Sequence, residues 1–303
     1  MFNVVKKRLY FYIFSLTLII LSLISIFTWG LNLGIDFRGG SIIELEANGL
    51  LAKTEQVKQN LAENNLPADS VRNSGNDKIV IRTRDLSNDE HNKIISDLKA
   101  KIDNNISETS YQTIGPVVSQ DITNKAIWAV VVASLAIIIY IAYAFRKVPK
   151  PANSWQFGVT AVTALIHDLI VTTGFVSVIG HFYDWMVVDA LFITALLTIM
   201  GFSVHDTIVV FDRLRENLLR HPTSNLESLA NASIAQTISR SINTSLTTIF
   251  VLLSIFVIGG ESIHHFVLTL IIGITFGTYS SIFIATMLLV SWNKKIRKQQ
   301  AGA

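Results

Sequence analysis

Six long apolar runs constrain this chain more than any other feature of its sequence. Each run holds roughly 20 residues, the length that an α-helix needs to cross the hydrocarbon core of a bilayer. Backbone groups left unpaired in lipid are costly, so runs of this kind fold as helices. The predicted spans are Leu9–Trp29, Ala126–Phe145, Trp155–Ile179, Ala190–Phe211, Ile242–Ile258 and Phe266–Trp292. The sequence therefore predicts an α-helical polytopic membrane protein with six transmembrane helices.

The basic residues predict how these spans are oriented. Lys and Arg cluster before the first span, between spans two and three, after span four and after span six, whereas the loops 181–189 and 259–265 contain neither. Because basic loops stay on the cytoplasmic side, both chain termini are predicted to be cytoplasmic. The first run is longer than the apolar core of a signal peptide and lacks a small-residue cleavage site, so we interpret it as a retained span.

Residues 31–122, between the first and second spans, carry the alternating signals of a small soluble domain. Strand-like stretches at 41–46, near Val71, at 78–83 and at 108–114 alternate with helical stretches at 54–64 and after Ser87. Ser87 and Glu90 have the spacing of a capping box, which marks the start of the second helix. The order β-α-β-β-α-β predicts a ferredoxin-like α+β domain on the extracytoplasmic side.

The remaining parts of the chain follow from these two assignments. We expect a cytoplasmic N-terminus with the first span at 1–30, the soluble domain at 31–122, spans two to six at 123–293 and a basic cytoplasmic tail at 294–303. Within the third part, 213–238 is predicted to be a cytoplasmic amphipathic segment. A second capping box at Ser224 and Glu227 predicts a helix that lies along the membrane surface and then turns into span five.

Composition argues against several kinds of function. The chain has no cysteine, which excludes disulfides and thiolate metal sites. It also lacks a Walker loop and an HExxH motif, so we expect no enzyme, no metal and no cofactor. The net charge of +3 gives no support for nucleic-acid binding. A binding or docking surface is the better interpretation of the soluble domain.

A glycine-rich stretch follows the first span. Its notable residues are Gly34, Asp36, Phe37, Gly39 and Gly40. Glycines of this kind occur in phosphate-binding loops, but such loops lead into a helix N-terminus. Here a strand-like stretch follows, which favours a tight turn from the membrane into the soluble domain over ligand binding.

Span four contains a carboxylate, Asp206, inside an otherwise apolar run, with His205 beside it. An ionisable group at membrane depth costs roughly 3 kcal/mol or more, so such a residue is functional or has a neutralising partner. Arg240 enters span five near the same depth and is a candidate for that partner. The alternative is that Arg240 is an ordinary flanking residue that extends towards the membrane surface.

Span three contains a second candidate pair, His167 and Asp168. Asp168 shares one helical stripe with small or polar residues at 161, 164 and 172, so it faces other helices and not lipid. Two interpretations remain open. The pair either takes part in transport or consists of buried structural hydrogen-bonding groups.

The chain shows no internal repeat near 150 residues. Transporters with internal repeats place their ion site at the interface between the repeats. A single set of six spans with one soluble insertion is therefore expected to pair with a second chain. Span six carries small residues four positions apart, typical of close helix packing, and these small-residue faces of spans three and six suggest contact with that partner.

Three segments together resemble the SecF family, the smaller membrane partner of SecD in the bacterial Sec export system. They are Gly34 to Gly40, Gly201 to Asn217, and Gly273 to Ser281. Their order, the soluble domain after span one and the six spans all match, and the resemblance covers nearly the whole chain. The second segment is long and specific, whereas the first is shared with SecD.

This resemblance implies a function that the residues alone do not give. It implies a multi-pass protein of the bacterial cytoplasmic membrane that pairs with SecD, in a fold similar to half of an RND transporter. The pair uses the proton-motive force to help draw preproteins through the SecYEG channel, with YajC a further candidate partner. Asp206 and Arg240 match the charged intramembrane positions of the family. His205 departs from the usual Asn, which affects local hydrogen bonding and the pH at which Asp206 titrates.

Other functions compete with protein export as interpretations of this sequence. The main alternative is a proton-driven RND-type exporter of lipids or small hydrophobic molecules. Such exporters need large outside domains with an apolar pocket, and the short 31–122 segment disfavours them. A scaffold without transport, in which Asp206 and Arg240 are only a structural pair, is a third possibility.

Overall fold

The computed structural model describes residues 3–64, 66, 70–73, 77–146, 148–149 and 153–301. In this part of the chain six helical segments are long and apolar enough to span a membrane, which confirms the predicted spans. The α-helices described there are α1 (Arg8–Trp29), α2 (Ile35–Arg38), α3 (Thr54–Glu63), α4 (Asn88–Lys101), α5 (Pro116–Ala144), α6 (Ser154–Phe182), α7 (Ala190–Arg220), α8 (Leu226–Ile258), α9 (His264–Tyr279) and α10 (Thr286–Ala301). A π-helical segment, Ser280–Ala285, joins α9 to α10 within span six.

The structure corrects the sequence prediction for the helix that enters span five. α8 is one uninterrupted helix of 33 residues, so the predicted surface helix with a turn into the membrane is wrong. No Gly or Pro occurs between 226 and 258, and nothing in the sequence therefore breaks the helix. Its N-cap is Asn225, whose side chain accepts from the Glu227 amide at 3.2 Å, and not Ser224.

The chain forms two compact units, and the larger contains the residues up to 32 and from 128 onward. In this unit α6 packs against α1, α7 and α9, and its side chains are mostly buried. α5 carries many exposed apolar side chains, as expected of a helix that faces lipid. Phe157 and Phe211 are fully buried and meet edge to face with ring centroids 4.9 Å apart, which joins α6 to α7.

The small-residue faces of spans three and six pack inside this unit. A Cβ at Gly273 would overlap Ile199 of α7, and one at Gly277 would lie 3.2 Å from the Cβ of Ser203. The stripe on α6 is buried as predicted, from Ala161 through Asp168 to Thr172. These faces therefore serve contacts within the chain, and the expectation that they meet a partner is wrong.

The smaller unit, residues 33–127, contains the four-stranded antiparallel sheet. Its strands are β1 (Gly40–Glu46), β2 (Ser70–Asn73), β3 (Lys78–Thr83) and β4 (Ser107–Ile114). The order β2-β3-β1-β4, with α3 and α4 as the crossovers, is the predicted ferredoxin-like topology. Alternate residues of β1 and β3 point into one core, where Ile43, Leu45 and Ile81 are fully buried.

Gly39 and Gly40 turn the chain from α2 into β1. Gly39 has φ +74° and Gly40 has φ +122°, backbone conformations that residues with a Cβ rarely adopt. A Cβ at Gly40 would also lie 2.5 Å from the carbonyl oxygen of Thr83 on β3. The glycines are thus required by the turn and by the close approach of neighbouring backbone.

Candidate functional site

Asp206 lies on the buried face of α7 and is only 3% exposed. The helix periodicity that buries Ser203, Val210 and Phe211 also turns Asp206 towards the bundle. The Ser241 hydroxyl of α8 lies close to the Asp206 carboxylate. Neither Ser241 Oγ nor Asp206 Oδ2 makes a hydrogen bond of normal geometry in the described part of the chain. The carboxylate is therefore buried without full hydrogen bonding.

Arg240, the predicted partner of Asp206, lies on the exposed face of α8. Its charge acts on the carboxylate, but among the described residues Arg240 and Asp206 form no ion pair. Asp206 and Arg240 thus belong to one electrostatic site without direct contact in this structure. His205 is exposed, one position along α7 from the buried carboxylate.

A polar cleft of about 400 Å³ opens between α7 and α8, towards the connection that joins them. Most of the side chains that line it are charged or polar, and only Ile208 and Val209 are aliphatic. The lining residues are Ile208, Val209, Asp212, Arg213, Glu216, Gln236, Thr237 and Arg240. Because Ile208 is two residues from Asp206 and Arg240 is next to Ser241, the cleft ends close to the buried carboxylate. Asp206 itself is not among the residues that line the cleft.

Exposed polar residues form a row on each of the two helices that line this cleft. The α7 row consists of Thr194, Thr198, Gly201, His205 and Asp212, and the α8 row of Arg240, Asn243, Thr247 and Ser254, with the exposed apolar Phe250 and Val251 between the last two. The Thr hydroxyls bond to carbonyls of their own helices, for example Thr198 to Thr194. His205, Arg240 and Asn243 have no such internal bond in the described residues, and lipid would not satisfy them. This surface, which we call the polar face, is unsuited to contact with lipid.

Asp168 and His167 form a second buried cluster. Asp168 is 0% exposed, and its Oδ2 accepts hydrogen bonds from Ser203 and Ser280, each at 2.7 Å. Its Oδ1 lies 3.0 Å from Nδ1 of His167. The structure thus joins α6, α7 and the π-helical segment through one carboxylate.

The π-helical segment explains how span six supplies two adjacent hydroxyls to this cluster. A π-helix accommodates one extra residue in a turn, so neighbouring residues can both face the interior. Ser280 donates to Asp168, while Ser281 donates to the Ser203 carbonyl at 2.8 Å. Thr207 donates to Ser281 at 2.9 Å. The Ser203 carbonyl and the Thr207 hydroxyl, on either side of Asp206 in sequence, are therefore both hydrogen-bonded to span six.

The glycine-rich loop residues lie elsewhere in the fold. Gly34, Asp36, Phe37, Gly39 and Gly40 all belong to the 33–127 unit, where they build α2 and the turn into β1. Their positions agree with the interpretation as a tight turn. No group of three or more possible metal-ligating side chains occurs in the described ranges.

Sequence reasoning missed three hydroxyl groups near the two carboxylates: Ser203 and Ser280, which bond to Asp168, and Ser241, which lies close to Asp206. Ser203 had a usable signal, since it lies three residues before Asp206 and so on the same side of the helix. Ser241 follows Arg240 and required the crossing of α7 and α8 to be known. Ser280 required the π-helical segment, for which the sequence pattern gives no signal.

Comparisons with family models and with known relatives all point to the same protein family. Residues 94–295 match the family model described as "Protein export membrane protein SecD/SecF, C-terminal", and residues 24–48 match "SecD/SecF GG Motif". A protein translocase subunit SecF from Thermobaculum terrenum is 42% identical, over 97% of this chain and 95% of its own. The corresponding subunit from Anaerolinea thermophila is 40% identical, over 96% and 94% of the two chains.

A solved structure extends this similarity to the fold. The crystal structure of SecDF from Thermus thermophilus, described as a translocon-associated membrane protein, aligns with a TM-score of 0.83 at 30% identity. The alignment covers 97% of this chain and 39% of the SecDF chain. The present chain thus corresponds to one part of that longer protein.

Proposed function

The chain belongs to the SecD/SecF family of protein export membrane proteins, and from this premise we propose that Asp206 couples proton movement to export. The chain is an auxiliary subunit of the bacterial Sec preprotein translocase, a multi-pass membrane protein whose family role is not enzymatic. The observation that carries the proposal is a carboxylate buried at membrane depth beside an open polar cleft. Such groups mark proton and ion pathways.

The partner in this proposal is SecD. The Thermus relative is a single SecDF chain, of which this chain matches 39%, and the proposal assigns the remaining part of such a machine to SecD. The polar face of α7 and α8 supports contact with a second set of spans, because its unsatisfied side chains would find partners there. Arg240 and His205 would then lie at the interface between the two halves, where repeat transporters hold their ion sites.

In the proposed cycle Asp206 takes a proton from the outer side and releases it through the cleft. Arg240 stabilises the ionised carboxylate by Coulomb attraction when the two groups approach, and burial favours the protonated form when they separate. A proton that crosses a potential of 100 mV releases about 2.3 kcal/mol. That energy biases a two-state rearrangement of helices by more than about tenfold.

The orientation in this scheme follows from the distribution of basic residues. Both termini and the connection between α7 and α8 would be cytoplasmic, since Arg213, Arg215 and Arg220 are near it. The cleft would then open to the cytoplasm, and the 33–127 unit would lie on the outer side. There it would act on preproteins that leave SecYEG, with YajC as a further candidate member of the complex.

The test is translocation of a reporter preprotein into inverted membrane vesicles, with and without an imposed proton gradient. Asp206→Asn cannot change charge and should abolish the stimulation by the gradient, while ATP-driven translocation and assembly remain. Asp121→Asn is the matched control, because Asp121 is an exposed carboxylate paired with Lys125 at 2.6 Å. A full gradient response in Asp206→Asn would show that Asp206 is only structural.

A further inference from the structure

The charge balance around Asp168 is incomplete in the described residues. Its side chain is fully buried, and the groups that act on it are His167 and two serine hydroxyls, without a Lys or an Arg. Hydroxyls stabilise a carboxylate but do not cancel its charge. A net negative charge sealed inside a membrane bundle costs several kcal/mol. The cluster is therefore expected to hold one additional positive charge.

His167 provides the place for that charge. Its Nδ1 is 3.0 Å from the Asp168 carboxylate, so in the bonded tautomer this nitrogen carries a hydrogen and donates it. Its Nε2 is buried and has no hydrogen-bond partner in the described part of the chain, and the residue is 4% exposed. In that tautomer Nε2 carries an unshared lone pair and can accept a proton.

The other titratable groups that pack around the pair are not placed to accept this proton, so His167 is the candidate acceptor. Tyr279 of α9 is nearest, with its ring centroid 6.4 Å from that of His167, but its hydroxyl already bonds to Ser15 and to the Phe11 carbonyl. On α7 the ionisable groups near Ser203 are His205, which is exposed, and Asp206, which is buried three residues beyond Ser203.

On the remaining helices that contact α6, the charged groups lie far from Asp168 along the helix axis. Tyr12 of α1 bonds to Ser291, and Arg8 of the same helix lies 3.8 Å from Glu227. On α10, Lys294 and Lys295 follow Asn293, which bonds to Gln156 in the first turn of α6, whereas Asp168 lies in the middle of that helix.

We propose that His167 and Asp168 form a second proton-binding site, separate from Asp206, which takes up one exchangeable proton. The incoming proton forms an N–H bond at Nε2 of His167, while the Nδ1–H bond and its hydrogen bond to Asp168 remain. The neutral histidine and the carboxylate become an imidazolium–carboxylate pair with no net charge. Release of the same proton restores the net charge of the cluster to −1.

The site is connected to α7 through hydroxyl groups. Ser203 donates to Asp168 and lies one helical turn before Asp206, and its carbonyl accepts from Ser281 of the π-helical segment. A change of charge at His167 acts on the Asp168 carboxylate, and through it on the hydrogen bonds that fix the part of α7 carrying Asp206. Only this link to export rests on the proposed function; proton binding by the pair does not.

The experiment is infrared difference spectroscopy of the full chain in lipid nanodiscs, recorded between high and low pH with isotope-labelled histidine. The wild type should show an imidazolium signal that appears at low pH and is lost in His167→Gln. Asp168→Asn, which lacks the carboxylate, should lose it as well. Thr172→Val is the matched control, since Thr172 is buried one turn along α6 and its hydroxyl has no partner in the described residues.

Further variants separate the possible outcomes. Asp206→Asn should keep the signal, which would establish the pair as an independent site even if Asp206 proves irrelevant to export. Ser203→Ala retains both groups, so it tests the site if Asp168→Asn does not fold, and it should shift the pH midpoint of the signal. The proposal is overturned if the signal is absent in the wild type, unchanged in His167→Gln, or unmoved in Ser203→Ala.

Discussion

Asp206 and Asp168 are carboxylates of the same helical bundle, but their surroundings give them different chemistry. Asp206 lies close to an open cleft and within the electrostatic reach of Arg240. Asp168 is sealed, and hydroxyls and an imidazole surround it. A carboxylate whose counter-charge can approach or withdraw suits a switch between two conformations. A buried carboxylate that is bonded to an imidazole suits the uptake and release of a single proton within the bundle.

The role of Arg240 as a movable counter-charge predicts how its variants behave. Arg240→Ala should abolish gradient-driven stimulation of translocation, whereas Arg240→Lys keeps the charge and should restore part of it. Arg220→Ala is the control, because Arg220 is an exposed arginine paired with Glu216 at 2.6 Å. Full stimulation in Arg240→Ala, measured in the same vesicles, would support the alternative that Arg240 is only a flanking residue.

The geometry of the turn at Gly40 predicts that the addition of a single carbon atom, the Cβ of alanine, lowers the stability of the fold. Gly40→Ala adds a Cβ beside the Thr83 carbonyl at a positive φ, and should destabilise the 33–127 unit by roughly 1–3 kcal/mol. Gly115→Ala should have little effect, since its Cβ would meet only Asp85 Oδ2 at 3.5 Å. Chemical unfolding of both variants, followed by circular dichroism, compares them. Equal stabilities would mean that the turn adjusts without strain.

Among the elements, α4 shows how local chemistry fixes a helix end. The predicted capping box is present: Ser87 Oγ accepts from the Glu90 amide, and the Glu90 carboxylate accepts from the Ser87 amide. The Arg84 guanidinium, 2.5 Å from Glu90, adds a charge-assisted hydrogen bond. Together with the bonds from Ser87 it lowers the pKa of the Glu90 carboxyl to about 2.

This lowered pKa predicts how the stability of α4 depends on pH. Because the folded state favours ionised Glu90, its contribution is complete above the unfolded pKa of 4.5 and is lost as the pH falls towards about 2. Glu90→Gln should therefore lower the unfolding temperature at neutral pH, and the difference from wild type should shrink between pH 4.5 and about 2. A difference that is constant across this range would show that the Glu90 charge contributes nothing.

The elements also show how far sequence reasoning reaches. The six spans and the capping box at Ser87 were predictable, since apolar length and the first turn of a helix are set by neighbouring residues. The unbroken α8 and the π-helical segment were not, because packing against other helices decides them. For the same reason the sequence indicated Asp206, Arg240 and Asp168 but not the hydroxyls of Ser241 and Ser280.

At the scale of the whole molecule, the chain consists of a membrane bundle and a small α+β unit that each have a separate core. The smaller unit should therefore fold alone. The excised segment 31–122 is expected to give a mixed α/β circular dichroism spectrum and a cooperative thermal transition. A disordered spectrum would contradict this independence and weaken the proposed docking role of the unit.

The larger unit is expected to be stable in lipid only with its polar face covered. The small-residue faces are already used inside the bundle, and α5 presents apolar side chains suited to lipid. The polar face of α7 and α8 is the surface that neither use explains. Its histidine, arginine and asparagine would gain hydrogen bonds against another set of polar helices, and this gain favours a stable complex with SecD.

This argument predicts which surface substitutions separate the two subunits. Gly201→Trp places a large side chain on the polar face, where a Cβ meets nothing within 4 Å in the isolated chain. It should leave the fold intact but reduce the SecD recovered with the chain in mild detergent by tenfold or more, a loss of about 1.4 kcal/mol or greater. Ile139→Trp, on an α5 position that is 68% exposed, should leave recovery unchanged. If Gly201→Trp retains SecD while Ile139→Trp loses it, the partner binds the α5 side and the assignment of the interface is wrong.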